Sequence, residues 1–229
     1  MSFTGFKPDF TTFLEELTAN NNRDWFQANK RRYQDEVQQP FLDFVVALAG
    51  PLQTVSPYLQ ADSRKTGGSM MRIYRDTRFS KDKTPYKTHI SARFLHVEGK
   101  EGVAPGCFLR IRSEDVVVGA GLWQPDNVAL TKIRRHIDQE REAWGKISSA
   151  HSIEAGCGMY DGDMLKRPPR GFTPDHPFVE DLKRKSFAVF TTWPVERIYC
   201  EDFLAETLEN YRSTAPLMSF LAKALGVRF

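Results

Sequence analysis

The chain has 229 residues, of which 41% are hydrophobic and 27% charged, with 17 Phe and a formal net charge of +3. That much core-forming material excludes a disordered chain, the charge excludes a membrane-embedded one, and the length suits one domain over residues 1–229 better than two small ones. The first ten residues, MSFTGFKPDF, lack the basic segment and apolar run of a secretory signal. No stretch approaches the ~20 apolar residues of a membrane helix, so cytoplasmic residence without membrane contact is the expectation. Cys107, Cys157 and Cys200 are odd in number and widely spaced, and read as reduced, mostly buried thiols rather than a disulfide framework or zinc site.

Asp9 is placed to cap a first helix in which Phe10, Phe13, Leu14 and Leu17 fall on one face. After the turn Asn20-Asn21-Asn22, Asn22 caps a second helix with Phe26, Tyr33 and Val37 on one side. Pro40 then suits the first turn of a third, with Phe41, Phe44, Val45 and Leu48 inward. Beyond Gly67-Gly68 the apolar period drops from about 3.6 to 2, which predicts strands over residues 70–75 and 88–96. Residues 107–112 and 116–123 flank the polar reversal Ser113-Glu114-Asp115 and read as a hairpin, with Gly119 and Gly121 marking a bulge or a close backbone approach.

Pro125-Asp126 opens another helix, with Val128, Ile133, Ile137 and the aliphatic stem of Arg134 facing the core. Residues 156–177 carry Pro168, Pro169, Pro174 and Pro177 and read as a long ordered loop. A strand buried on both sides follows at 186–193. Asp202 caps a terminal helical region that Pro216 kinks or divides, that Leu217, Phe220, Leu221 and Leu225 pack, and that Gly226 ends. Helices, then strands, then helices predict an α+β fold, a central antiparallel sheet packed by N-terminal and C-terminal helices.

Between residues 64 and 93 nine Lys or Arg stand against only Asp76 and Asp82, a local charge of +7 that leaves −4 elsewhere. Its centre is RIYRDTRFSKDKTPYK, residues 72–87. On an extended strand Arg72 and Tyr74 share one face and Arg75 takes the other, while Arg78, Lys81, Lys83 and Lys87 ride the loop beyond. Arginine forks and lysine point charges suit a phosphorylated or other anionic ligand. In an enzyme acting on that anion, Asp76 or Asp82 is the candidate general base and His89 an auxiliary acid or base.

The competing account is structural: Asp76 and Asp82 hold Arg75, Arg78 and Lys83 in a network that stitches the loop to the helices, as in an interaction or scaffold protein. Nucleic acid is the extended form of the anion idea, with Tyr74, Phe79 and Tyr86 stacking on bases. Against it, Phe79 and Tyr86 read as anchors that tuck the loop onto the core. Arg23, Asn29, Lys30 and Arg32 form a second polar cluster that either joins the site or serves as helix capping and surface charge.

His89, His96, His136, His151 and His176 are scattered without ligand spacing, so no metal is expected. Asp161-Gly162-Asp163 lacks the later ligands of a calcium loop. Gly119-Ala120-Gly121 lacks the third glycine of a dinucleotide loop, and neither a phosphate-loop lysine motif nor a nucleophile elbow occurs, so no cofactor is expected either. Whether there is a reaction, and in what oligomeric state, the residues do not say.

Read together, NNNRDWFQANKRRY, RIYRDTRFSKDKTPYKTH, GAGLWQP followed by an IRRHI helix, and KRPPRGFTPDHP resemble a widespread microbial family of conserved proteins of unknown function. The resemblance spans almost the whole chain and implies a compact α+β protein with no assigned reaction, cofactor or partner. The family's strongest motif falls on Arg72, Tyr74, Arg75, Asp76, Arg78, Phe79, Ser80, Lys81, Asp82, Lys83, Pro85, Tyr86 and Lys87. Where an aromatic pair, often with tyrosine, is expected before the hairpin, this chain has Cys107-Phe108.

Overall fold

A computed structural model describes residues 3–98, 103–150 and 158–229, so Cys157 and His151 lie outside the described residues. Helix α1 (Asp9–Ala19) buries Phe10, Phe13, Leu14 and Leu17, as their spacing requires. Its N-cap is Pro8, however, and Asp9 is the first helical residue without a capping bond. Asn22 does cap α2 (Arg23–Ala28), accepting the Trp25 amide at 2.9 Å. The expected second helix is broken where Asn29 turns back to the Trp25 carbonyl at 2.9 Å. A short α3 (Lys30–Arg32) follows, then a π-helical stretch (Tyr33–Gln38) that keeps Tyr33 and Val37 inward by widening the turn, and then α4 (Gln39–Leu52).

Among the described residues six antiparallel strands, β1 (Leu59–Gln60), β2 (Ile90–His96), β3 (Gly106–Ile111), β4 (Asp115–Leu122), β5 (Gly158–Met159) and β6 (Phe187–Pro194), are ordered β1-β2-β3-β4-β6-β5. The protein is an α+β fold. Residues 70–75 do not form the expected strand. They meet the sheet at the isolated bridge of Met70 to Ala92, beside which Met71 N donates to Ser91 O at 2.8 Å, while Tyr74 bridges Tyr86 outside the sheet, and the buried members are Met70 and Ile73. The chain turns away from the edge of β2 there into the basic loop and enters β2 only at Ile90, which ends any regular ladder.

Cross-strand partners share a face of the sheet. Ile90, Ala92, Phe94, Leu109, Val116 and Val118 all point to the core that α1, α4 and α8 (Phe203–Ser213) build. Farther along the same face, Leu122, Phe187 and Val189 meet a second cluster from α5 (Asn127–Gln139), α6 (Arg141–Ala150), α7 (Val179–Leu182) and α9 (Ala215–Leu225). Asp126 caps α5 through the Ala129 amide at 2.7 Å. Arg134 is buried as expected, its guanidinium donating to the Leu182 and Arg184 carbonyls, but Val128 is 65% exposed because it sits at the solvent edge of the first turn. Pro216 lies in the first turn of α9, which divides it from α8, and Gly226 closes α9 with φ +79°. Asp202 precedes α8 without a side-chain capping bond. Among the described residues no helix is long and apolar enough to cross a membrane.

Candidate functional site

The basic motif forms a closed loop. Arg75 N donates to Pro85 O at 2.9 Å, Lys87 N donates to Ile73 O at 2.8 Å, and Tyr74 bridges Tyr86, so residues 75–85 leave and return at one point. Tyr86 anchors that point: it is 2% exposed and its ring stacks on Phe26 with centroids 4.0 Å apart. The Asn21 side chain completes the anchor, donating to Tyr86 O at 3.0 Å and accepting from Tyr86 N at 3.1 Å. Phe79, expected as a second anchor, is 96% exposed at the loop tip, where the Arg78 guanidinium lies 5.9 Å from its ring centroid.

Inside the loop each aspartate takes an arginine. Arg75 meets Asp82 at 2.5 Å and also reaches the Thr84 hydroxyl and, at 3.3 Å, the Thr84 carbonyl. Arg78 grips Asp76 with Nε at 2.9 Å and Nη2 at 2.6 Å. Lys83 donates to the Thr77 carbonyl at 2.9 Å, while Lys81 is exposed. The Arg78 side-chain bond pulls the Asp76 carboxyl down to about 2. Bonds from the Thr84 amide and then Arg75 do the same for Asp82. A carboxylate that gives up its proton so readily is a poor general base at neutral pH. In the second polar cluster, Arg32 is likewise engaged by Glu16 at 2.6 Å and Glu36 at 3.1 Å.

A different set of cations gathers on the sheet face opposite the helices. Arg93 and Phe108 are cross-strand partners, as are Ser91 and Arg110, so Arg93 and Arg110 stand diagonally on that face. With Phe190 and Thr192 of β6 they line a cavity of about 550 Å³ whose described lining residues include no carboxylate. Burial lowers the pKa of both Arg93 and Arg110, and for Arg110 the neighbouring Arg112 lowers it further against a pull upward from Asp115 and Glu114. Guanidinium stays charged regardless, and for Arg110 the net direction means that burial and Arg112 outweigh the attraction of Asp115 and Glu114. The Arg110 Nε is buried without a hydrogen-bond partner.

Beside this face, burial pushes the Lys87 ammonium down, helped by Arg93 and Arg72. Burial, then Lys87, Arg110 and Arg112, push His89 down to about 4. His89 is therefore neutral at pH 7, a weak base there with no imidazolium proton to donate. Of the site residues read from sequence, Lys87 and His89 sit beside the cavity, Arg72 lies close enough to Lys87 to repel it, and Tyr74, Arg75, Asp76, Arg78, Lys81, Asp82 and Lys83 belong to the loop.

The model of the conserved hypothetical protein family DUF2461 matches residues 9–220. The chain belongs to that family. Comparison with curated proteins and with solved structures gives no match. Both the loop and the cavity of this DUF2461 member lie within the matched span. Among the described residues no group of three or more His, Cys, Asp or Glu is placed to hold a metal ion. Cys107 is buried, which pushes its thiol up, while Cys200 is exposed, against expectation.

Sequence reasoning missed Arg110, Phe108, Phe190, Trp123 and Tyr160. The available signal was Arg110 alternating with the buried Leu109 and Ile111, since a cation at an alternate strand position must point away from the apolar side.

Proposed function

We propose that the protein binds a small phosphate- or carboxylate-bearing ligand in the cavity on the open sheet face, with Arg110 as the principal contact and Lys87, His89 and Arg72 shaping the potential at its edge. The observation that carries this reading is the buried, partnerless Nε of Arg110 in a cavity whose described lining has no carboxylate. Burying a charge costs free energy unless an opposite charge meets it, and an anion entering the cavity would supply one. The volume falls within the ~300–1,000 Å³ typical of small-molecule sites. In this reading the loop is scaffolding: Asp76 and Asp82 engage its arginines, and Tyr86 fixes its base.

The test is a set of thermal melts with phosphate, sulfate, sugar phosphates, nucleotides and simple carboxylates. At a hundredfold excess over Kd a true ligand adds about 2.7 kcal/mol, which is roughly 5 to 11 °C for a chain this size. The shift should vanish in Arg110→Ala and persist in Arg78→Ala. A flat panel, or a shift that ignores Arg110, rejects the reading.

A second reading, non-enzymatic nucleic-acid binding, is supported by Phe79, an exposed ring at the tip of a basic loop beside Arg78. It predicts oligonucleotide affinity that falls steeply with salt and drops in Phe79→Ala. Absent or salt-insensitive binding removes it.

A further inference from the structure

We infer that the cavity selects anions that carry a flat ring, held on an aromatic wall beside the arginines. This rests on the anion reading and supplies what that reading leaves open, the body of the ligand. The wall consists of Trp123, Tyr160, Phe190 and Phe108. Trp123 lies with its ring centroid 4.7 Å from Tyr160 and 5.9 Å from Phe190, and Phe108 meets Phe190 edge to face at 6.1 Å. All four line the cavity.

The backbone register explains why these rings stand over a trough. One cross-strand row runs Arg93, Phe108, Gly119, Phe190. Gly119 is required there, because a Cβ would occupy the space of the Phe190 ring, so the ring lies down across the strand. The neighbouring row runs Gly106, Gly121, Ala188, with Gly121 at φ +133°, and raises no bulk between Leu95 and Tyr160.

A floor of small residues bounded by rings accepts a planar group and makes poor use of a puckered one. Arg110, two residues along β3 from Phe108 and on the same face, puts the positive charge beside that floor. Stacking and charge are thus offered within one ligand length, which suits aryl phosphates, aryl carboxylates or nucleotides over bare anions.

The test is calorimetric titration of the full chain with two matched pairs: phenyl phosphate against cyclohexyl phosphate, and benzoate against cyclohexanecarboxylate. Within a pair the charge and bulk agree and only flatness differs. The flat member should bind about tenfold tighter, as one stacked ring contributes. Phe190→Leu and Trp123→Leu should each shrink the ratio of flat to puckered affinity within a pair, and circular dichroism reports whether each variant is folded. If the flat and puckered members of a pair bind equally, the ring inference fails and the anion reading stands. A preference that survives in both folded variants also overturns the wall. If none of the four binds, both readings fall.

Discussion

The basic loop and the open sheet face are both rich in cations, yet the two differ in how the charge is met. In the loop each aspartate is adjacent to an arginine and takes it at hydrogen-bond distance: Arg75 with Asp82, Arg78 with Asp76. On the sheet face Arg110 is half-buried, its Nε is unmatched, and the described cavity lining brings no carboxylate. Local charge density in a sequence measures neither pairing nor burial. Exposed paired cations are close to neutral for stability, whereas a partly buried cation with a donor left unmatched is held at a cost and responds to anions.

That contrast can be broken or sharpened in four ways, from the largest effect down. Tyr86→Ala removes a buried ring stacked on Phe26 and should cost about 3 to 5 kcal/mol in urea unfolding. A loss below about 1 kcal/mol would mean the loop is not anchored there.

Acidification probes the other region. His89 is pushed from 6.5 down to about 4, so the unfolded chain binds the proton first and stability is lost as pH falls from about 6.5 through 4. The full shift corresponds to at most about 3 kcal/mol, less whatever solvent screens. His89→Asn should flatten that slope, and an unchanged slope would show that His89 is not desolvated. Next, Arg110→Ala should weaken anion binding by about tenfold or more with a small effect on melting, whereas Arg75→Ala should do the reverse, costing on the order of 1 kcal/mol and leaving anion affinity intact. If both variants lower affinity equally, the division between the two regions is false. Smallest of all, Arg78→Ala should leave the melting temperature and anion affinity unchanged.

The fold was readable where physics is local. The 3.6-residue spacing of Phe10, Phe13, Leu14 and Leu17, the Asn22 and Asp126 caps and the helix stop at Gly226 each act within a turn of chain. The alternation in residues 107–112 likewise gave β3, because one face of a strand must be apolar. Alternation cannot say which face stays uncovered. That depends on where α8 and α9, a hundred residues later, come to rest, so Arg110 and Phe190 looked ordinary. Residues 70–75 misled for a related reason: Met70 and Ile73 are buried by contacts with distant strands and helices, and the intervening turn out of the sheet leaves no periodic trace. The exposure of Phe79 had no sequence signal at all. The RIYRDTRFSKDKTPYK block was correctly singled out as the densest charge, but the reach of Asp76 to Arg78 and of Asp82 to Arg75 is a matter of loop shape.

Asn21 gives the molecule a single-residue stand-in for a strand. Its side-chain amide presents one donor and one acceptor, the same pair a peptide unit presents, and uses both on Tyr86. Conversion of that amide to a carboxylate, by Asn21→Asp or by slow deamidation in storage, would replace the donor with a second acceptor facing the Tyr86 carbonyl. A change of one mass unit at Asn21 would thus loosen a loop anchored 65 residues along the chain.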